Sequence, residues 1–192
     1  ASFHRVRLKL PLLALLAAGP AALAGTPIEE RAPADPAGQV EVSNTAGSVV
    51  ISAWPRNEVE VTGTLGEGTE RLEFSSSGKL TRVKVVLPRQ SGRVEGTSLV
   101  LKVPAGSGLA VNTVSADVTA AGVRGSQRLQ SVSGNIHTEA AAEDVECKTV
   151  SGDVKVKGSG QPGLLTVTTV SGDADLSRVA GEVNGNTVSG NF

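Results

Sequence analysis

From Val114 onward, apolar and polar residues alternate in short runs, and the alternation restarts at regular intervals. Each restart carries one signature: Val114-Ser115-Ala116-Asp117, Val132-Ser133-Gly134-Asn135, Val150-Ser151-Gly152-Asp153, Val170-Ser171-Gly172-Asp173 and Val188-Ser189-Gly190-Asn191. The steps between the valines are 18, 18, 20 and 18 residues, and the longer step absorbs Gly158-Ser159-Gly160-Gln161-Pro162-Gly163, a corner-loop composition. Each repeat is numbered from the Thr or Ser before the valine. Position 6 is then Val118, Ile136, Val154, Ala174 and Phe192, and position 8 is Ala120, Thr138, Val156 and Leu176. After the corner a second alternating pair recurs as Gln127/Leu129, Val145/Cys147, Leu165/Val167 and Val183/Gly185. Period-two alternation is the strand signature. Each repeat therefore predicts two strands joined by a Ser-Gly-Asp turn.

A single repeat buries too little apolar surface to offset the entropy of ordering it. Stacked repeats pair every strand with the rungs on either side, about 4.8 Å away, and set like residues in columns. The prediction is an all-β parallel solenoid with rungs of about 18 residues, right-handed or flattened and two-sided. Counted from position 17, alternation points position 1 inward, yet position 2 is always Val. A bend or bulge at the motif is expected to reconcile the two.

Residues 38–112 are β-rich but less regular and are expected to form a capping segment before the regular rungs of 113–192. Strands are expected at Gln39–Val42, Ser48–Ile51, Glu58–Val61, Arg82–Val85 and Ser98–Val103. Asn44-Thr45-Ala46-Gly47-Ser48-Val49 is a degenerate motif copy, expected to start the solenoid. Residues 25–37, rich in Pro, Ala and Glu, read as a flexible leader. Residues 1–24 have the layout of a secretory signal: basic Arg5, Arg7 and Lys9, an apolar Leu10–Ala18 and a small-x-small Ala22-Leu23-Ala24. The expectation is an exported protein of the periplasm or cell surface with no membrane span after cleavage.

Composition sharpens this picture. Removing residues 1–24 leaves 15 basic against 19 acidic residues, a balance that argues against nucleic acid as a partner. Cys147 is the one cysteine, so stability cannot come from an internal disulfide. There is no Met or Tyr, and the aromatic residues are one Trp and three Phe. The core must therefore be built from Val, Leu, Ile and Ala.

Candidate chemistry is sparse. Asp117, Asp153 and Asp173, in one column with Asn135 and Asn191, are weak candidates for a cation ladder. Calcium wants six to eight oxygens, and Asp and Asn ordinarily hold their own turn. The Ser column (115, 133, 151, 171, 189) lacks a base: His4 lies in the signal segment, and His137 is expected outward on a strand without an orienting acid. Cys147 shares a column with Leu129 and Val167 and reads as buried. Asp173-Ala174-Asp175 is a D-x-D whose members alternate with an inward residue. Trp54, beside Pro55, is expected to staple the cap, with sugar stacking as the functional alternative. No catalytic or cofactor-binding set emerges, and no cofactor is expected.

The V-S-G-D/N ladder, Leu101-Lys102-Val103-Pro104-Ala105-Gly106 and Gly47-Ser48-Val49 together resemble a bacterial family of exported domains of unknown function that carry an adhesin label. The resemblance covers about residues 38–192. It implies a β-solenoid at the cell envelope and no reaction. The chain departs from a finished solenoid by ending at Phe192, mid-rung, so further rungs or a covering element are expected there. Three functions follow. The first is a non-enzymatic structural or interaction protein of the envelope, with a protein or glycan partner. The second is a carbohydrate-active β-helix enzyme, disfavoured by short rungs and the lack of clustered acids. The third is an envelope-stress accessory or sensor.

Overall fold

A computed structural model describes residues 25–192 except Ser91 and Ala142. The expected signal segment, 1–24, lies outside the described residues. The described chain is all strand and turn. In order these are β1 (Thr26–Pro33), β2 (Gln39–Trp54), β3 (Glu58–Leu65), β4 (Arg71–Ser76), β5 (Leu80–Val86), β6 (Thr97–Pro104), β7 (Gly108–Ala121), β8 (Gln127–Ser131), β9 (Ile136–Ala140), β10 (Val145–Thr149), β11 (Val154–Gly158), β12 (Pro162–Thr169), β13 (Ala174–Ser177) and β14 (Ala180–Thr187). All fourteen belong to one continuous, mostly parallel sheet.

The regular rungs stack in sequence order as two parallel ladders. On one side the N-terminal half of β7 is followed by β8, β10, β12 and β14; on the other its C-terminal half is followed by β9, β11 and β13. The register is the one the motif spacing predicts. Val118 faces Ile136, Ile136 faces Val154, and Val154 faces Ala174. Leu129, Cys147, Val167 and Gly185 form the opposing column. Inward members of both columns are almost wholly buried as far as Val167 and Ala174.

Gln127 and Thr138 form a buried polar pair in this lumen. The Thr138 hydroxyl donates to Gln127 Oε1 at 2.5 Å. The Gln127 amide in turn donates to the Val123 and Glu139 carbonyls. A polar pair inside an apolar stack is tolerated because each member satisfies the other.

Alternation breaks at the motif, where positions 2 and 3 are both exposed between buried positions 1 and 4, so the expected bend is present. Position 1 (Thr113, Ser131, Thr149, Thr169) is buried, and the motif valine points outward, with Val114, Val132, Val150 and Val170 each 40–47% exposed. What bends the chain is the Ser-Gly turn. At Gly134, Gly152, Gly172 and Gly190 an added Cβ would lie 2.0–2.1 Å from the carbonyl oxygen of the equivalent residue one rung earlier. Only a residue without Cβ admits this approach. Ala116 opens the column, where its partner Gly47 has a different backbone, with φ of 113°.

The N-terminal region differs most from expectation. Gln39–Val42 and Ser48–Ile51 are halves of one long β2, and Val40, Val42, Val49 and Ile51 on it are fully buried. The degenerate copy pairs with the first true motif, Ala46 opposite Ser115 and Ser48 opposite Asp117. It does not start the stack, however. β5 and β6 form a further rung on the other edge of β2. β2 is thus an interior rung, and the chain passes over it between β6 and β7.

Beyond β5 and β6 the pairing turns antiparallel: β4 lies on β5, β3 on β6 and β1 on β3. Residues 26–33 are therefore an edge strand rather than a flexible leader. Ile28 packs into the core cluster, and Arg31 and Ala32 face Glu60 and Val59. With two prolines and three charges, β1 has the composition of a protected edge. At the other end Phe192 is 57% exposed, so position 6 ceases to be interior in the last rung.

Two substitutions test this architecture. Val154→Asp places an unpaired carboxylate in the position 6 column and is expected to cost more than about 3 kcal/mol in denaturant unfolding. Gly152→Ala, conservative anywhere else, is expected to cost about 1–3 kcal/mol because its methyl meets the Gly134 carbonyl. A Gly152→Ala protein as stable as the parent would refute the close approach.

Candidate interaction surface

At the motif corner the Asp and Asn side chains are engaged between rungs. Asp117 Oδ1 accepts the Asn135 N–H at 2.9 Å, and Asn135 Oδ1 accepts the Asp153 N–H at 2.9 Å. Asp153 Oδ1 then accepts the Asp173 N–H at 3.0 Å, and Asp173 Oδ1 the Asn191 N–H at 2.8 Å. The column is thus a side-chain-to-backbone ladder along the stack. Each side chain holds the next rung's turn rather than its own, which corrects the sequence expectation. Among the described residues no three His, Cys, Asp or Glu side chains gather as metal ligands.

The turn is closed from inside by position 1. The Gly134 N–H donates to Ser131 Oγ at 2.9 Å and the Gly152 N–H to Thr149 Oγ1 at 3.0 Å. The motif serines themselves are exposed. Their backbone N–H groups complete the rung-to-rung pairing, as in Ser151 N–H to Val132 O at 2.8 Å. His137 is exposed on β9, and its register neighbours are Thr119 and Lys155. No Ser or acid stands beside it in register, so the structure does not assemble the triad weighed above. Asp175 is exposed and sits 3.9 Å from Lys155, while Ala174 between it and Asp173 is buried.

Cys147 is fully buried between Leu129 and Val167. Burial, with a smaller contribution from Glu146, pushes its thiol up to about 12. The thiolate, the reactive form, is thereby suppressed near neutrality.

Trp54 ends β2, and its Nε1–H donates to the Glu58 carbonyl at 2.7 Å, closing the turn at 55–57. Three cations surround the ring: Arg56 at 5.2 Å, Lys102 at 5.6 Å and Arg31 at 6.0 Å from its centroid. Glu60 ties two of them together, hydrogen-bonded to Arg31 and 3.7 Å from Lys102. The Arg31 hydrogen bond, above all, holds the Glu60 carboxyl below its ordinary range. This cluster joins β1, β2, β3 and β6, which is the staple expected of Trp54. Its cations come from β1, β6 and the 55–57 turn, a convergence that no local motif announces.

The outward positions form two polar faces. One carries Thr119, His137, Lys155 and Asp175 in one row and Ala121, Glu139, Lys157 and Ser177 in the next. The other carries Arg128, Glu146, Thr166 and Asn184 beside Gln130, Lys148, Thr168 and Asn186. Glu146 is braced by Lys148 and by Arg128, the latter at 3.0 Å, and its carboxyl is held below its ordinary range by those contacts.

The Toastrack DUF4097 family profile matches residues 32–192, nearly the whole described chain. The chain belongs to this family. No curated protein matches it. A Toastrack chain built this way is also similar to a solved structure, that of a proposed cell adhesion protein from Clostridium sporogenes. The TM-score is 0.53 at 11% identity, covering 87% of this chain and 100% of that one. A proposed adhesin from Bacteroides fragilis overlaps 87% of this chain and 97% of its own, with 10% identity and a TM-score of 0.35. At such identity the Clostridium likeness speaks for the fold alone, and it agrees with the all-β, largely parallel Toastrack architecture.

The buried thiol makes a pH prediction. A thiol raised from about 9 to about 12 on folding leaves the native state holding a proton that the unfolded chain has lost. Its contribution to stability is full below pH 9 and falls as pH rises toward 12, by about 1.4 kcal/mol per unit. Cys147→Val, matching Val167, is expected to lack this decline. Urea unfolding of both proteins at pH 8, 9 and 10 measures it, and parallel curves would refute it.

Proposed function

We propose that this Toastrack protein is a non-enzymatic, adhesin-like interaction module of the cell envelope. One observation carries the reading: side chains stand in register, rung after rung, on two outward faces, while the Asp and Asn side chains of the motif corner hold the stack. A surface of this kind is pre-organised, so a partner meets it without an ordering cost in the backbone. Its partner is then a repetitive surface, protein or glycan, that matches the rung spacing. The cell-adhesion description of the Clostridium protein supports the same reading, as does the signal-like layout of residues 1–24, which favours export. Lys155 and Lys157 on one face and Arg128 and Lys148 on the other favour polar or acidic partners over apolar ones.

Saturable binding of the purified protein to isolated envelope from its source cells is the expected outcome. Val154→Asp, unfolded or loosened, is expected to lose it. Absence of retention by the folded protein, or turnover of envelope polysaccharide by it, would overturn this reading.

A further inference from the structure

Arg178 has a φ of 52° and is the one non-glycine residue in the left-handed region among the described residues. An L side chain there is strained because its Cβ crowds the following carbonyl. The same corner position occurs in the other regular rungs. Register runs from Ala120 through Thr138 and Val156 to Leu176, and two residues further each rung has Gly122, Ala140, Gly158 or Arg178. Where the backbone is left-handed at the first of these corners, with φ of 73°, the residue is Gly122. The last corner keeps that conformation and places an arginine in it.

Packing holds the strain. The Arg178 carbonyl accepts the Gly160 N–H at 3.2 Å and lies so close to Gly158 that a Cβ there would be 2.2 Å away. Strained residues persist where surrounding structure over-determines them, and they concentrate at binding sites.

Arg178 shares an open groove of about 600 Å³ with Lys157, Glu139, Gly158, Ser159 and Gly160. Lys157 is the register partner of Ser177 on one side and of Glu139 on the other, so the two cations come from adjacent rungs with one carboxylate beside them. The one acid of the groove is turned toward the previous rung, where Glu139 Oε2 accepts the Gly122 N–H at 3.3 Å. No ion pair among the described residues involves Lys157 or Arg178. The groove thus holds two cations to one carboxylate, a net positive charge, beside a floor of glycine backbone and one hydroxyl.

We propose that Lys157 and Arg178 bind the carboxylate of an acidic sugar. The guanidinium supplies a bidentate fork and the ammonium a point charge. The floor at Gly158-Ser159-Gly160 has few side chains and leaves room for a flat ring beside the Ser159 hydroxyl, the Ser159 and Gly160 N–H groups being held by the Ala140 and Arg178 carbonyls. The proposal rests on reading the outward face as an interaction surface, and names what that face takes at this corner.

Calorimetric titration of the folded protein with polygalacturonate, sodium glucuronate, uncharged dextran and polyglutamate tests it. Polygalacturonate is expected to bind, more weakly as salt rises, and dextran not to bind. Glucuronate binding per residue as tight as the polymer's assigns the site to a free acid, and weaker glucuronate binding assigns it to the chain; either supports the carboxylate. Arg178→Gly and Lys157→Gln are each expected to weaken polygalacturonate by about tenfold or more. Arg178→Gly also relieves the strained backbone and is expected to melt no lower than the parent, so lost binding cannot be lost fold. Unchanged binding in Arg178→Gly, absence of binding in the parent, or polyglutamate binding as tightly as polygalacturonate would overturn the proposal. Envelope retention that survives such a result would leave the interaction reading standing and remove only this site.

Discussion

The rung-to-rung approach at the motif glycine is the contact on which the remainder of the structure depends. Gly134, Gly152, Gly172 and Gly190 each stand over the preceding carbonyl with no space for a methyl group. The two ladders can remain parallel and in register on both sides of the core only if the corner between them closes to the same spacing as the strands. Glycine makes that possible, and the Asp/Asn ladder then pins every turn to its neighbour through a backbone N–H. Repetition in the sequence is the consequence: what one rung needs at its corner, the next needs in the same place.

With the corner fixed, the core can be modest. It is assembled from Val, Ile, Leu and Ala in columns, with Cys147 serving as one more small apolar residue. Each rung contacts chiefly its neighbours, so stability accumulates along the stack instead of residing in one large cluster. The N-terminal end is blunted by antiparallel strands whose charges and prolines discourage further pairing, and the Trp54 cluster binds that cap to β2 and β6. Near the other end Phe192 lies against Gly185, a large side chain opposite the one column position without any.

This division of labour separates structure from function within each rung. The repeated Asp and Asn hold the next rung's turn through their side chains, and the repeated Ser pairs with the preceding rung through its backbone N–H. The basic residues exposed outside the motif vary between rungs, among them His137, Lys155, Lys157, Arg128 and Arg178. Arg178 is the clearest instance, because it occupies a backbone conformation that glycine would accept without strain.

How much of this was legible in the chain follows from the range of each interaction. Alternation and an 18-residue step determined the strands, the stacking and the columns through Val118, Ile136, Val154 and Ala174, because those are local periodic demands. They also determined that Cys147 is buried. Local pattern could not settle which side of the motif Val would face, since Thr at position 1 and Val at position 2 both suit an interior. Only the path of the turn turned Val outward. Nor could it show that β5 and β6 stack on the far edge of β2, that residues 26–33 pair with β3, or that Arg31, Arg56 and Lys102 converge on Trp54. Those outcomes depend on which distant strand edges find each other, and an edge's backbone groups carry no sequence label. The same is true of the Lys157–Arg178 groove: two cations 21 positions apart in the chain become neighbours only when one rung lies on the next.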